Sequence, residues 1–236
     1  MRNFFVFDGE NTLNYGVYCN GHNTYGGAYR DVESIAVPGR NGDILLDNGR
    51  YNNLALSYEC FVVEDMKRNV ALFRNMLTSR SDTYYRLEDS YHPDEFRLAQ
   101  YVGGFESEIS MMHRTATFNV EFNCKPQRFL KSGENWIDNP STIRNDWQES
   151  KPVIRCTGAQ GTFMLNGNTV TILNHNTTTY PYIDIDCEAM ECHYNGTNAG
   201  QYVTIMQNKF PTLVPGNNTL TRSGLSVQIQ PRWWRL

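Results

Sequence analysis

The chain has 236 residues, of which 13% are aromatic and only 19% are charged, and its formal net charge is -4. This length allows two modest domains or one large β domain, and the aromatic-rich composition favours β-structure. The acidic balance gives no basic excess that could neutralise phosphates, so we expect no binding to nucleic acid. The first apolar run is too short for a signal peptide and no run is long enough to span a bilayer. We therefore expect a soluble protein without membrane insertion.

Residues 34–53 predict a β-hairpin. A short apolar run stops at Pro38, Asn41-Gly42 turns the chain back, and a second apolar run follows. Turn geometry explains the glycine, which adopts positive φ readily, but it does not explain Arg40 and Arg50. Their guanidinium groups can bind carboxylates in a bidentate manner. Each arginine therefore either braces the hairpin internally or reaches an acidic group on a neighbouring subunit.

Three segments after the hairpin show clear periodicity. Residues 54–62 and 115–124 alternate between apolar and polar side chains, which predicts two half-buried strands. Residues 66–77 repeat apolar side chains at helical spacing, and Asp65 is the candidate N-cap of this helix. We expect the helix to pack on its own sheet through Met66, Val70, Phe73 and Leu77.

The composition changes between residues 131 and 151, where Ser, Asn, Gly and Asp predominate. This change predicts a domain boundary, with one domain at residues 1–130 and a second at 131–236. The second part contains a hairpin with Asn166-Gly167 at its turn and several further short alternating segments without helical periodicity. Such a pattern is typical of a β-sandwich. The predicted fold class is therefore mainly β, with an N-terminal β-sandwich-like domain that carries a single helix and a C-terminal β-sandwich.

The sequence offers little that resembles an active site. The six cysteines include no Cys-x-x-Cys pair, so we expect free core thiols and no metal site. Asp184 and Asp186 could form a carboxylate or calcium site, but alternation places both on the polar outer face of a strand. Nucleophile, zinc and phosphate-loop motifs are absent. We therefore expect no enzymatic activity, no catalytic or metal-binding residues and no cofactor.

Several short motifs resemble those of one family, the distal tail proteins of long, non-contractile-tailed bacteriophages and their prophage relatives. They follow in the family's order and span nearly the whole chain, which makes the match more specific than any motif alone. The motifs are Phe7-Asp8-Gly9, Val37-Pro38-Gly39-Arg40-Asn41-Gly42, Asp47-Asn48-Gly49-Arg50-Tyr51-Asn52-Asn53, Cys124-Lys125-Pro126-Gln127-Arg128-Phe129 and Pro231-Arg232-Trp233-Trp234-Arg235-Leu236.

The resemblance implies a two-domain structural protein of the virion. The family's first domains join head to tail into a homohexameric ring, and the second domain resembles a galectin-type β-sandwich. The implied partners are further copies of the chain, the tail tube protein, a tail-tip or tail-associated protein and a receptor-binding protein. The implied location is the distal end of the tail, after synthesis in the bacterial host cytoplasm. The candidate assembly residues are those of the hairpin, namely Arg40, Asn41, Gly42, Arg50 and Tyr51.

A carbohydrate-binding module that contacts the host cell envelope is the alternative function. Sandwich domains hold sugars on exposed aromatic rings, and Trp233, Trp234, Tyr180 and Tyr182 could provide such rings. Trp233 and Trp234 could equally close the sandwich core or contact another subunit. The structural and carbohydrate-binding functions differ in stoichiometry and in sugar dependence.

Overall fold

The computed structural model describes residues 3–20, 26–103, 107–109 and 115–236. The chain divides into two compact units, the first comprising Met1–Arg128 with Leu236 and the second Phe129–Arg235. Each unit has its own hydrophobic core. Among the described residues, no helix is both long and apolar enough to cross a membrane.

The first unit is built on one antiparallel sheet, with a single α-helix and a separate two-stranded hairpin. The strands are β1 (Phe5–Phe7), β2 (Glu10–Asn11), β3 (Val17–Asn20), β4 (Arg30–Ile35), β5 (Ile44–Tyr51), β6 (Leu54–Val62), β7 (Tyr85–Asp89), β8 (Glu95–Tyr101), β9 (Ser107–Ile109) and β10 (Ala116–Cys124), and the helix is α1 (Met66–Thr78). A 3-10 turn covers Thr12–Tyr15. The main path of the sheet runs β2-β1-β7-β8-β10-β6-β3, and β9 pairs with β10.

Strand β10 carries the alternation that the sequence predicts. Alternate residues from Ala116 to Cys124 are buried, and they pair in unbroken register with the buried residues of β6. Phe122 is fully buried, with ring centroids 5.4 Å from Phe5 and 5.0 Å from Phe7. Because a slip of one residue would turn this apolar set toward water, packing holds the register.

Helix α1 packs on the sheet as predicted, but its N-terminus differs from the prediction. Met66, Phe73 and Leu77 are buried. Asp65 lies before the helix with a φ of 42°, and its side chain makes no capping hydrogen bond, so the predicted N-cap role is wrong. Nearby, the side-chain amide of Asn69 donates a hydrogen bond to the backbone carbonyl of Glu64 at 2.9 Å. A left-handed backbone at the cap position does not match the extended geometry from which Asp caps a helix.

The second unit is a β-sandwich. Its strands are β11 (Arg128–Leu130, which begins one residue before the unit), β12 (Ile137–Asp138), β13 (Thr142–Asn145), β14 (Val153–Thr157), β15 (Gly161–Leu165), β16 (Asn168–Ile172), β17 (Ile183–Asp186), β18 (Glu191–Tyr194), β19 (Thr197–Asn198), β20 (Val203–Ile205), β21 (Gly216–Ser223), β22 (Ser226–Gln230) and β23 (Trp234–Arg235). 3-10 turns cover Lys131–Glu134 and Gly200–Tyr202. One sheet has the order β12-β22-β14-β17-β18-β19 and the other β13-β21-β15-β16-β20.

Both sheets of the sandwich contribute to a single core. Ile154 and Ile185 enter it from the six-stranded sheet, and Phe163 and Val170 enter it from the five-stranded sheet. The predicted Asn166-Gly167 turn joins β15 to β16, and both of its residues have positive φ, as a two-residue hairpin turn requires. The predicted fold class is confirmed: the chain is mainly β, with two units and a single helix among the described residues.

Candidate functional site

The predicted hairpin is present and is longer than the sequence indicates. We call β4, β5 and the turn between them, residues 30–51, the arm. Its strands pair from Ile35 with Ile44 down to Arg30 with Tyr51, with a register shift near Arg30. The eight residues of β5 span roughly 25 Å at about 3.3 Å per residue. Neither strand pairs with any other described strand, so both outer edges of the arm lack backbone partners within the described part of the chain.

The tip of the arm holds three of the predicted assembly residues. Arg40, Asn41 and Gly42 are exposed, and the Arg40 amide donates a hydrogen bond to the Val37 carbonyl at 3.2 Å. Gly42 has a φ of 81°, which explains the glycine at this position. Within the described part of the chain, no acidic side chain forms an ion pair with Arg40. The Arg40 guanidinium group is therefore available to a partner.

The base of the arm holds the other two predicted residues. The Arg50 Nε lies 2.6 Å from an Asp31 carboxylate oxygen on the opposite strand, so Arg50 braces the arm internally. Arg30 makes a bidentate contact with Asp47, at 3.0 Å and 2.8 Å, and its guanidinium carbon lies 4.8 Å from the centre of the Tyr51 ring. The structure thus separates the two predicted arginines: Arg50 is in an ion pair at the base, and Arg40 at the tip has no acidic partner among the residues that the structure describes.

Hydrogen bonding keeps the Arg30–Asp47 brace ionised. The hydrogen bonds from Arg30 lower the pKa of the Asp47 carboxyl below its usual range, and the Gly49 amide lowers it further. The same contact with Asp47 raises the pKa of Arg30. Both groups stay charged in mildly acidic solution, so the brace persists there. Because both side chains are solvent-exposed, the ion pair contributes little to the stability of the arm and mainly fixes the geometry of its base.

Apolar side chains cover both faces of the arm without being buried. By the pairing register, Ile35, Ile44 and Leu46 share one face, while Val32 and Leu45 lie on the other. The exposed fractions are 40% for Val32, 46% for Ile35, 42% for Ile44, 70% for Leu45 and 50% for Leu46. A contiguous exposed apolar patch on an unpaired ribbon is typical of a surface that is covered in an assembly.

The aromatic residues considered for sugar binding are largely occupied by packing. Trp233 packs against the sandwich core, and the Trp234 indole donates a hydrogen bond to the Glu149 carbonyl at 2.9 Å. Tyr180 also packs against that core, and the Arg155 guanidinium carbon lies 3.9 Å from the centre of the Tyr182 ring. The core-closing interpretation therefore fits Trp233. No geometry at these four rings favours the carbohydrate-binding alternative, which stays a prediction.

Asp184 and Asp186 do point away from the core, but each is held by an arginine. Asp184 is buried and accepts two hydrogen bonds from Arg155, at 2.7 Å and 2.8 Å. Asp186 accepts two from Arg232, both at 2.8 Å. Burial raises the pKa of Asp186, but the hydrogen bonds and charge of Arg232 and the amides of Ala189 and Glu188 together hold it below its usual range. Each of the two aspartates is therefore explained by its own ion pair with an arginine, and neither requires a catalytic carboxylate pair or a calcium site.

Comparison with known proteins identifies the second unit. Residues 147–233 match the family described as siphovirus-type tail component, C-terminal domain. This segment therefore resembles the C-terminal domain of phage tail components. The predicted resemblance to the distal tail protein family is thereby confirmed, and the matched segment covers most of the sandwich. No curated protein matches the sequence.

Solved structures resemble the fold of the chain over nearly its whole length. The crystal structure of SPP1 Dit (gp 19.1) matches with a TM-score of 0.76 at 14% identity, over 97% of this chain and 98% of that chain. A chain of the phage P2 baseplate in its activated conformation with Ca matches with a TM-score of 0.57 at 8% identity, over 100% and 98%. The corresponding structure with Sr gives 0.55 at 10% identity, over 97% of each chain.

The sequence interpretation missed the apolar surface of the arm. It emphasised Arg40 and Arg50, whereas the larger anomaly is three consecutive apolar residues, Ile44 to Leu46, in a strand with one partner. Consecutive apolar residues in a strand indicate that both of its faces are covered. The run Ile44 to Leu46 was the sequence signal for this surface. It could not show that no described residue of the same chain covers these side chains.

Proposed function

We propose that this tail component is the structural hub of the phage tail tip. In this proposal, six copies form a closed ring at the distal end of the tail and connect the tail tube to tip and receptor-binding proteins. Residues 1–130 form the ring, and residues 131–236 point outward to hold the tip components. The chain is made in the bacterial host cytoplasm and acts in the virion.

The single observation that carries the ring proposal is the exposed arm. An isolated two-stranded hairpin is marginally stable in water, because it has no sheet or helix to cover its apolar faces. In a heterologous contact, the arm of one copy is covered by a different surface of the next copy. A heterologous contact that repeats by rotation closes into a ring. The arm is therefore suited to join each copy to the next.

The structural neighbours support a hub more than a free-standing module. SPP1 Dit is described as a paradigm of hub adsorption apparatus in phages that infect Gram-positive bacteria, and the P2 chain belongs to a baseplate. The low identities limit this support to the fold. The arm and the family match of the second unit give the proposal its independent basis.

Native mass spectrometry across a range of protein and salt concentrations tests the proposal. We expect a closed species near six times the 27.2 kDa chain mass, visible as a ring by electron microscopy. A different closed stoichiometry contradicts the hexamer but not the ring. A monomer at every concentration contradicts ring formation by the isolated chain. Binding of that monomer to glycans would favour the carbohydrate-binding alternative.

Arg40 provides a test of how the arm reaches the next copy. We propose that its unpaired guanidinium group at the tip binds an acidic group of the neighbouring copy. Arg40→Ala is then expected to leave the thermal midpoint unchanged and to make the ring dissociate at lower salt, because salt competes with an exposed ion pair. The salt concentration at half-dissociation is the measurement.

Arg50→Ala is the matched control, since it removes the same charge from the same arm but breaks the internal pair with Asp31. Because Arg50 is 73% exposed, water screens its pair with Asp31, and a change below about 1 kcal/mol in unfolding free energy is expected. The intersubunit role of Arg40 is contradicted if Arg40→Ala leaves the ring as salt-resistant as the parent, or if both variants weaken it equally.

A further inference from the structure

Two buried cysteines face each other on strands β3 and β6 of the first unit. Cys19 on β3 and Cys60 on β6 are directly opposed in the antiparallel register, and their sulfur atoms are 3.3 Å apart. Cys19 is 3% exposed and Cys60 is 0% exposed. They are 41 residues apart in sequence. This spacing gives no indication that they meet.

The backbone around Cys19 has the geometry that permits a cross-strand disulfide. The Cys19 amide donates a hydrogen bond to the Asn3 carbonyl at 3.0 Å, and the Cys19 carbonyl accepts one from the Tyr91 hydroxyl at 3.3 Å. Both backbone groups are thus engaged outside the β3–β6 ladder, so Cys19 and Cys60 form a non-hydrogen-bonded pair. Such pairs have Cα atoms about 4.5 Å apart, within the roughly 4.4–6.8 Å range of disulfides.

We propose that Cys19 and Cys60 are a modification site at which an intrachain disulfide forms under oxidising conditions. The sulfur atoms need to approach by roughly 1.3 Å to reach the usual bond length of about 2.05 Å, a shift that side-chain rotation can provide. The loop that this bond closes contains the whole arm, residues 30–51. The disulfide links the edge strand β3 to β6, the strand that follows the arm. This inference is independent of the proposed hub function.

Both sulfur atoms face the core, so a small oxidant reaches the pair through local opening of the edge strand β3. Cys19 lines a cavity of about 650 Å³ together with Tyr18, Phe61 and Asn69. Hydrogen peroxide is the oxidant we invoke. One thiolate attacks a peroxide oxygen and becomes a sulfenic acid, which releases hydroxide. The second thiol then attacks that sulfur and displaces water, so two thiols and one peroxide give one disulfide and two waters.

Burial controls the rate of this oxidation. Burial raises the pKa of the Cys60 thiol well above its usual range, and the contact with Cys19 raises it further. Because the thiolate is the reactive form, Cys60 reacts slowly at neutral pH and faster as the pH rises. The pair therefore stays reduced in a reducing cytoplasm and oxidises gradually outside it.

Peptide mapping of the oxidised full-length chain tests the proposal. The protein is treated with hydrogen peroxide, unfolded in the presence of an alkylating agent, digested with trypsin without reduction and analysed by mass spectrometry. We expect peptides 3–30 and 51–67 to be joined, and four of the six cysteines to be alkylated instead of six. The thermal midpoint is expected to rise by about 3–10 °C on oxidation and to return on reduction.

Cys124→Ala is the matched control, because Cys124 is buried in the same core and carries no bond to either sulfur. It is expected to retain the joined peptides and the oxidation-dependent rise in midpoint. Cys19→Ala and Cys60→Ala are each expected to lose both. The proposal is overturned if oxidised parent protein, still folded by circular dichroism, gives alkylated Cys19 and Cys60, sulfinic acids at these positions, or a bond to another cysteine.

Discussion

Leu45→Asp is expected to abolish ring assembly while the chain keeps its fold. Leu45 is 70% exposed in the single chain, so a carboxylate at this position costs the isolated fold little. If the neighbouring copy buries Leu45, the variant loses about 1.5–3 kcal/mol of apolar burial at each interface and also desolvates a charge. The dissociation constant of each interface is then expected to rise by about 100-fold or more. Native mass spectrometry and a thermal melt measure the two effects.

Two further variants make the test specific. Leu46→Asp changes the opposite face of the arm, so its effect shows whether one face or both are covered in the ring. Met206→Asp is the control, because Met206 is 72% exposed and belongs to the second unit rather than to the arm. It is expected to leave the ring intact. Intact rings in both arm variants would contradict the role of the arm.

Arg155→Met is expected to lower the free energy of unfolding of the second unit by about 2–3 kcal/mol, because it leaves Asp184 charged and buried without its partner. The guanidinium carbon of Arg155 also lies 4.7 Å from the Trp136 ring and 3.9 Å from the Tyr182 ring, and both contacts are lost. Urea unfolding followed by tryptophan fluorescence is the measurement. Adding Asp184→Asn is expected to recover part of the loss, since it removes the uncompensated charge.

Arg144→Met is the matched control in the same unit. Its ion pair with Asp146 is equally short at 2.6 Å, but the two side chains are 75% and 59% exposed. We expect a change below about 0.5 kcal/mol, because water screens and solvates both charges. If Arg144→Met and Arg155→Met lower the free energy of unfolding equally, the burial of Asp184 does not determine the loss of stability.

Elements with strong local signals were predictable. The alternation of residues 115–124 specifies a strand and its buried face, and the Asn166-Gly167 dipeptide specifies a hairpin turn, because each depends on neighbouring residues alone. The helix was predictable for the same reason, but Asp65 was not, because a cap requires a backbone conformation that composition does not reveal. Strand β4 begins at Arg30, four residues before the predicted hairpin. Pairing with β5, rather than the composition of these residues, extends the strand.

The sequence by itself determined a mainly β protein with a helix at residues 66–77, a turn-defined arm and motifs that resemble one family from end to end. Only the tertiary structure decided which side chains those elements bury or expose. It brings Cys19 against Cys60, pairs Asp184 with Arg155, and leaves Leu45 on the arm in water. The physical reason is that local patterns depend on backbone preferences of adjacent residues, whereas contacts depend on pairing between strands distant in sequence.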